Sequence, residues 1–250
     1  MMTSGKKKIT RRDAIVRGAV GLGLPLFIPR AVLGGEGRAA ANERVGIGAI
    51  GVGGRASLLL EQLPEDGQLV ALCDCNRSRA EAFKAKKNGN WPIYQDHREL
   101  LERKDIAAVI VGTGEFQRVL PCIHACQAGK DIYAEKPLSL YIREGRVLVD
   151  AVRRHKCVFQ VGSQQRSMAM NRIACEFIRG GGLGKVLEVR AMSYTSSQES
   201  PAPPFPEEPV PEGLNWDVWL NQAAWRPFHR QWMGWMRWRD YSGGEMTNWG

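Results

Sequence analysis

The sequence predicts an α/β protein built on a doubly wound parallel sheet. Short apolar runs without a helical period alternate along the chain with longer segments that mix apolar and charged residues. Such runs are typical of strands buried on both faces, and their alternation with helices indicates a parallel sheet. A glycine-rich turn directly after the first apolar run supports the same fold.

The predicted strands and helices follow one another between residues 45 and 161. The strands are Val45–Ile50, Gln68–Cys73, Ile93–Tyr94, Ile106–Val111, Asp131–Ala134 and Val158–Val161. The helices are Ser57–Leu63, Arg77–Asn88, a helix from the capping residue Asp96 to near Arg103, Phe116–Ala128 and Arg143–His155. Because ligands of parallel sheets bind outside the carboxyl ends of the strands, the residues at those ends are candidates for a site.

A dinucleotide-binding fingerprint follows the first strand. Gly51–Ala56 fits the pattern G-x-G-x-x-G/A, and Asp74 ends the second strand 23 residues after Gly51. Gly51 permits the tight turn, Gly53 lets the backbone approach a pyrophosphate, and the helix N-terminus binds the phosphates. Asp74 would accept hydrogen bonds from ribose hydroxyls and repel a 2′-phosphate, which favours NAD over NADP, although Arg77 would offset part of that repulsion. The alternative is a glycine-rich turn in another kind of α/β protein.

The basic residues are concentrated at the N-terminus. Residues 1–42 hold eight lysine and arginine side chains against two carboxylates, so six of the nine net positive charges lie there. A nucleic-acid-binding domain needs a basic face on its folded part. The remaining excess of three over residues 43–250 does not provide such a face, and no nucleic-acid partner is predicted.

Residues 1–42 have the order of an export signal and a linker. Arg11 and Arg12 precede the apolar stretch Ala19–Ile28, which is too short and too rich in glycine and proline for a membrane span. The segment resembles a twin-arginine signal, which implies the twin-arginine translocase as a partner during export of the folded protein, and a periplasmic or exported location. The alternative is a disordered basic tail beside an N-terminal helix.

The six cysteines do not indicate a metal site. The spacings Cys73/Cys75 and Cys122/Cys126 match no common zinc motif. Cys73 also ends an apolar run, as a small buried hydrophobic residue does. We therefore predict structural or free thiols and no bound metal.

The segment Ala128–Leu138 contains Glu135-Lys136-Pro137 at the end of a predicted strand. With the glycine turn and Cys73-Asp74, it resembles the glucose–fructose oxidoreductase/inositol dehydrogenase (Gfo/Idh/MocA) family. The resemblance runs from about Arg44 to the last residue. Four later segments also occur in the family's order, namely Val161–Arg166, Gly184–Val186, Pro211–Leu220 and Gly243–Gly250.

The resemblance implies an NAD(P)-dependent oxidoreductase with two domains. Residues 43–162 would form a Rossmann domain, and residues 163–250 would begin an α+β open-sheet domain that covers the active site and mediates homo-oligomers. Lys136 matches the family lysine that lies beside the nicotinamide and serves in acid/base chemistry. A lysine near the cofactor's positive ring has reason to be less basic than usual. The alternative is a surface lysine in a turn.

The site residues follow from these motifs position by position. The predicted catalytic residues are Lys136 and Asn248. The predicted cofactor-binding residues are Gly51, Gly53, Gly54, Arg55, Ala56, Asp74, Thr113, Glu135, Lys136 and Gln164. The predicted substrate-binding residues are Gln165, Arg166 and Tyr194.

The chain departs from the family pattern at three places. Thr113–Arg118 lacks the histidines that usually follow the third long strand, and Asn248 stands where the family has a catalytic aspartate. An amide cannot take up or pass on a proton as a carboxylate can. The family's catalytic histidine would fall beyond Gly250. We therefore expect a chain truncated at its C-terminus, with a second sheet left unfinished after Val186–Tyr194.

Seven of the eight tryptophans lie between Trp216 and Trp249. Aromatic rings of this kind stack on sugars, but they also form cores and subunit contacts, which we favour here. The proline-rich segment Pro201–Pro211 is predicted to be an irregular surface loop.

The sequence supports two functional hypotheses. The first is an NAD(H)-dependent oxidoreductase acting on a sugar, polyol or glycoside, in which Lys136 exchanges the hydroxyl proton. An exported enzyme meets little free cofactor, which favours a redox-neutral cycle on tightly bound NAD, such as glycoside cleavage or sugar-to-sugar hydride exchange. The second is a non-catalytic or vestigial dinucleotide-binding module, which Asn248 supports. The 250-residue chain alone is expected to bind NAD without turning over a sugar.

Overall fold

The computed structural model of the protein describes residues 43–192, 196–201 and 204–249. The predicted export signal at residues 1–42, Tyr194 and Gly250 lie outside the described residues. Residues 45–250 group as one unit, and the predicted domain boundary after residue 162 stays a prediction. No helix in the described ranges combines the length and apolarity needed to cross a bilayer.

Six parallel strands form one sheet in the order β3-β2-β1-β4-β5-β6. This order is the doubly wound Rossmann arrangement, whose switch point lies between β1 and β4. The predicted α/β fold class is therefore confirmed. The strands are β1 (Val45–Ile50), β2 (Gly67–Cys73), β3 (Ile93–Tyr94), β4 (Ala108–Val111), β5 (Asp131–Glu135) and β6 (Phe159–Gly162).

Eight α-helices occur in the described residues. The chain also forms short 3₁₀ helices at Gln164–Ser167, Arg230–Met233 and Trp235–Arg237. The predicted cap at Asp96 is confirmed, because its carboxylate accepts the backbone N–H of Arg98 at 2.9 Å. The α-helices are α1 (Gly54–Glu61), α2 (Arg77–Lys86), α3 (His97–Leu101), α4 (Glu115–Gln127), α5 (Ile142–His155), α6 (Ala169–Arg179), α7 (Trp216–Leu220) and α8 (Glu245–Trp249).

Helices cover both faces of the sheet. In β4, Val109 and Val111 pack on the face covered by α3, α4 and α5, whereas Ile110 packs on the face covered by α1 and α2. This alternation follows from the two-residue period of a strand. Both faces are therefore apolar, and the sheet offers a ligand only the edge where its strands end.

The segment between Trp216 and Trp249, called the tryptophan-rich segment below, packs against the N-terminal end of α4. Together they form a third hydrophobic core, in addition to those on the two faces of the sheet. Phe116 and Leu140 contribute to it from the Rossmann part of the chain. The rings of Trp216 and Trp219 are stacked, with centroids 4.5 Å apart. The core role that we favoured for the tryptophans is confirmed for Trp216, Trp219, Trp232 and Trp238, which are all buried.

The region after β6 differs from the predicted open sheet. Residues 186–192 form no strand, and residues 193–195 lie outside the described ranges. Outside the main sheet, the described chain has only two isolated bridges, one of them between Gln198 and Trp238. The predicted start of a second sheet at Val186 is wrong for the described residues. The physical reason is that a strand needs a neighbour to pair its backbone groups, and no described segment pairs with residues 186–192.

Candidate functional site

A cavity of about 570 Å³ lies at the carboxyl ends of β1, β2, β4 and β5. The glycine turn, the first turn of α4 and the tryptophan-rich segment complete its walls. Most of the predicted site residues meet here because the ends of parallel strands share one edge of a sheet. Those that line the cavity are Gly51, Gly53, Gly54, Arg55, Asp74, Thr113, Glu135, Lys136, Gln164 and Asn248.

The glycine turn leaves room for a phosphate at the start of α1. Gly51 has a φ of +80°, and a Cβ there would lie 2.9 Å from the backbone nitrogen of Thr113. A Cβ on Gly53 or Gly54 would meet no atom within 4 Å, so the turn is open at these positions. The N-terminal N–H groups of α1 and the helix dipole favour an anion at that place. The residues present therefore fit the pyrophosphate of a dinucleotide.

Ala56 lies behind this turn and does not line the cavity. It is fully buried, and a Cβ on Gly112 would come within 2.5 Å of the Ala56 side chain. A small residue at each position lets α1 approach β4 closely. Ala56 thus has the packing role that its place in the fingerprint predicts, without direct access to a ligand.

Asp74 is buried at the end of β2 and tied to the glycine turn. Its carboxylate accepts the backbone N–H of Val52 at 2.8 Å and that of Asn76 at 2.9 Å. Its charged neighbour is Arg79, with Nη1 3.5 Å from Oδ2. Arg77, which was predicted to offset part of the repulsion of a 2′-phosphate, does not line the cavity. Arg77 begins α2 and forms an ion pair with Glu81 one turn later, whereas Arg79 faces Asp74 and lines the cavity.

The two predicted catalytic residues are in direct contact. Lys136 Nζ donates to both the side-chain Oδ1 and the backbone oxygen of Asn248, each at 2.8 Å. The ammonium also lies 4.6 Å from the ring centroid of Trp249. Burial lowers the pKa of Lys136 from its usual value. Helix α8 supplies both partners, so the end of the described chain shapes the surroundings of this amine.

Glu135, next to Lys136, is buried and paired with the glycine turn. Its Oε1 accepts from Arg55 Nε at 2.9 Å, which joins the end of β5 to the start of α1. Its Oε2 accepts the backbone N–H of Lys136 at 3.1 Å. The carboxylate therefore serves to hold the two loops together at the cavity.

The first turn of α4 supplies three buried polar side chains that the sequence did not predict as site residues. Gln117 accepts the backbone N–H of Gly114 at 3.2 Å and donates to the carbonyl oxygen of Trp219. Glu115 accepts the backbone N–H of Gly243 at 3.0 Å. Arg118 donates to the carbonyl oxygen of Thr113 and lines the cavity together with Gln117. The available signal was the absence of the family's histidines from this segment, where Phe116 and Arg118 stand in their places.

The predicted substrate-binding residues are not brought to the cavity. Gln165 and Arg166 are exposed in the 3₁₀ helix after β6, and neither contributes to the cavity wall. The chain turns outward after Gln164, so only that residue of the segment faces the site. Tyr194 lies outside the described residues. The described residues contain no group of three or more His, Cys, Asp or Glu side chains that could hold a metal ion.

The parallel sheet, the open glycine turn and the acid at the end of β2 define a dinucleotide-binding Rossmann domain. Residues 45–163 match the GFO_IDH_MocA family, described as an oxidoreductase family with an NAD-binding Rossmann fold. This part of the chain is similar to that family, as the motifs predict, and the prediction of NAD as the cofactor is confirmed.

Curated relatives of the chain include inositol dehydrogenases. Myo-inositol 2-dehydrogenase of Thermotoga maritima is 28% identical over 160 residues, which are 63% of this chain and 46% of that protein. Inositol 2-dehydrogenase/D-chiro-inositol 3-dehydrogenase of Lacticaseibacillus casei is 32% identical over 59% of this chain and 44% of its own length. A glycosyl hydrolase family 109 protein of Shewanella is 30% identical over 59% of this chain and 34% of its own length. The chain thus matches less than half of the length of each of these relatives.

Solved structures show the same fold. Scyllo-inositol dehydrogenase from Lactobacillus casei, determined with bound NAD(H) and scyllo-inositol, superposes with a TM-score of 0.51 at 22% identity. The match covers 56% of this chain and 42% of that one. Myo-inositol 2-dehydrogenase from Lactobacillus plantarum gives a TM-score of 0.53 at 22% identity, over 57% of this chain and 43% of its own.

Proposed function

We propose that the protein is an NAD(H)-dependent oxidoreductase that acts on a sugar, a polyol or a glycoside. The observation that carries this proposal is the position of the Lys136 amine, which lies in one cavity with the open glycine turn and Asp74. The inositol dehydrogenases among the relatives support a polyhydroxylated substrate. The proposal extends to a homo-oligomer, as the family resemblance implies.

Different residues of the cavity would have different roles in such a reaction. Bound NAD would supply a hydride acceptor for a substrate C–H bond. The glycine turn would bind the pyrophosphate, and Asp74 would accept the ribose hydroxyls. The neutral amine of Lys136 would take the hydroxyl proton as the hydride leaves, so that the substrate carbon becomes a carbonyl.

Asn248 has a positioning role in this proposal. A neutral lysine has two N–H bonds and one lone pair, and the two oxygens of Asn248 at 2.8 Å accept both N–H bonds. The lone pair then remains for the substrate proton. An aspartate at this place would hold Lys136 in its charged form, because an opposite charge nearby raises the pKa of an amine. The asparagine therefore favours the form of Lys136 that acts as a base.

One relative favours a redox-neutral version of this chemistry. The Shewanella relative is described as a glycosyl hydrolase family 109 protein. Hydrolysis of a glycoside cleaves a bond without net oxidation of the sugar. In such a cycle the hydride would leave the substrate and return to it or to a second sugar, and NAD would stay bound. We propose this version for an exported protein, which meets little free cofactor.

The proposal is tested on the purified full-length protein. We expect it to carry NAD, identified after release by chromatography and mass spectrometry, and to show increased absorbance at 340 nm with at least one compound from a panel of inositols, aldoses and glycosides. Release of free sugar without net reduction would identify the redox-neutral version. Bound NAD that responds to no member of the panel, with no glycoside cleaved, would contradict the enzyme proposal and favour the non-catalytic binding module.

We also propose export through the twin-arginine pathway. Replacing Arg11→Lys together with Arg12→Lys is expected to leave most of the protein in the cytoplasm, because the resemblance implies that the translocase reads the arginine pair itself. The measurement is the periplasmic fraction by immunoblot. Arg17→Lys together with Arg30→Lys is the matched control, since it changes the same residue types outside the pair. An unchanged periplasmic fraction in the first variant would remove the twin-arginine assignment.

A further inference from the structure

Arg118 is a buried cation in the cavity wall without an acidic partner. Only 2% of the residue is exposed, and the side chain donates to the carbonyl oxygen of Thr113 through Nη2. Its Nε and Nη1 have no hydrogen-bond partner. Within the described ranges, no carboxylate lies within ion-pair distance of its guanidinium, although Arg118 lines the cavity. Nearly all buried charges in proteins are paired, so this arginine requires an explanation.

The acids nearest to Arg118 form no ion pair with it, and Oε2 of Glu115 has no hydrogen-bond partner. Glu135 forms its ion pair with Arg55 at 2.9 Å. Glu115 accepts the backbone N–H of Gly243, and burial raises the pKa of its carboxyl group. Burial also lowers the pKa of Arg118 to about 10, which still leaves the guanidinium charged at neutral pH. Glu135 and Glu115 therefore act on Arg118 only through space, and no hydrogen bond satisfies its Nε and Nη1.

The position of Arg118 separates it from the place predicted for the cofactor phosphates. The phosphates are expected at the open turn of Gly53 and Gly54, where α1 begins. Arg118 lies instead in the first turn of α4, close enough to Lys136 for its charge to lower the pKa of that amine. An anion that reaches Arg118 would therefore belong to the molecule whose proton Lys136 exchanges.

We propose that Arg118 is a specificity-determining residue that binds a carboxylate of the substrate, so that the protein acts on a sugar acid in preference to the matching neutral sugar. This inference rests on the proposed function and names the substrate class of the same site. A guanidinium is the preferred protein partner of a carboxylate, because its planar N–H groups match the carboxylate oxygens. The bound anion would also offset the cost of burying Arg118 with unmade hydrogen bonds.

The test compares pairs of compounds that differ only in the acid group. The probes are D-glucuronate against D-glucose, D-galacturonate against D-galactose, and D-gluconate against D-glucitol, each titrated into the full-length NAD-loaded protein by calorimetry. We expect at least one acid to bind about 10- to 100-fold more tightly than its neutral partner, as for a hydrogen-bonded charge pair. Arg118→Gln is expected to bring that ratio to about one while NAD content and neutral-sugar affinity change less than twofold. Arg118→Lys should keep part of the preference.

Arg143→Gln is the matched control, since Arg143 is exposed and lies outside the cavity. The inference is overturned if the wild type prefers the neutral member of every pair, or if Arg118→Gln keeps the preference. Loss of NAD from a folded Arg118→Gln protein would assign the arginine to the cofactor and also overturn the inference. If that variant does not fold, the wild-type ratios and Arg118→Lys decide. Reduction of bound NAD by neutral sugars alone would leave the proposed function intact. That function would be rejected if no compound reduced the bound NAD and no glycoside were cleaved.

Discussion

Replacing Lys136→Met is expected to lower the rate at which a substrate reduces the bound NAD by about 100- to 10,000-fold, the usual contribution of a positioned general base. Methionine retains much of the apolar stem but has no lone pair for a proton. The folded state should persist, because the lost contacts are two hydrogen bonds to Asn248 and the contact of the ammonium with the Trp249 ring. Single-turnover absorbance at 340 nm measures the effect directly.

Lys104→Met is the matched control, because Lys104 is exposed and lies far in sequence from the cavity residues. It should leave the rate unchanged. The pH profile gives a second readout. The wild-type rate should rise with pH through the lowered pKa of Lys136, since the neutral amine is the active form, and Asn248→Asp should move that rise to higher pH. A Lys136→Met protein with the wild-type rate would exclude this lysine as the base.

Replacing Asp74→Ala is expected to weaken NAD binding by about 10- to 100-fold. The substitution removes the predicted acceptor of the ribose hydroxyls. It also leaves the buried backbone N–H groups of Val52 and Asn76 without their partner, which loosens the glycine turn. NADP should lose less affinity than NAD, because the negative charge that repels a 2′-phosphate disappears while Arg79 remains beside it.

Calorimetry with both nucleotides on nucleotide-free protein measures this difference. Asp150→Ala is the matched control, since Asp150 is exposed on α5. Asp74→Asn retains an acceptor for one of the two backbone groups and should fall between the wild type and the alanine variant. NAD affinity that is unchanged in Asp74→Ala would show that the ribose does not lie at the end of β2.

The sheet and the dinucleotide site were predictable because their signals are local. The apolar runs mark the strands to within about two residues, with β4 beginning at Ala108 instead of Ile106. The glycine turn, Asp74 and Lys136 each follow a strand directly. Parallel pairing then brings the three places to one edge without further information.

The rest of the site depends on contacts between distant parts of the chain. Glu115 and Gln117 acquire their roles only through Gly243 and Trp219, which are more than 100 residues away in sequence. No local pattern encodes those contacts. The assignment of Gln165 and Arg166 to the substrate stays a prediction, because both follow Gln164 in sequence but are exposed and lie outside the cavity.

Two hydrogen bonds join Gln117 to the tryptophan-rich segment, and they have a consequence for recombination of this protein with its relatives. The Gln117 side chain donates to the carbonyl oxygen of Trp219, and the Gln117 carbonyl oxygen accepts from Asn221 Nδ2 at 3.0 Å. A recombination crossover anywhere between residues 118 and 218 would separate these partners. A chimera that exchanges only the nucleotide-binding half with a relative would therefore bring mismatched halves together at the cavity. We expect a functional chimera to need both the Gln117 and the Asn221 side chains, because each donates to a backbone carbonyl oxygen on the other side of the crossover.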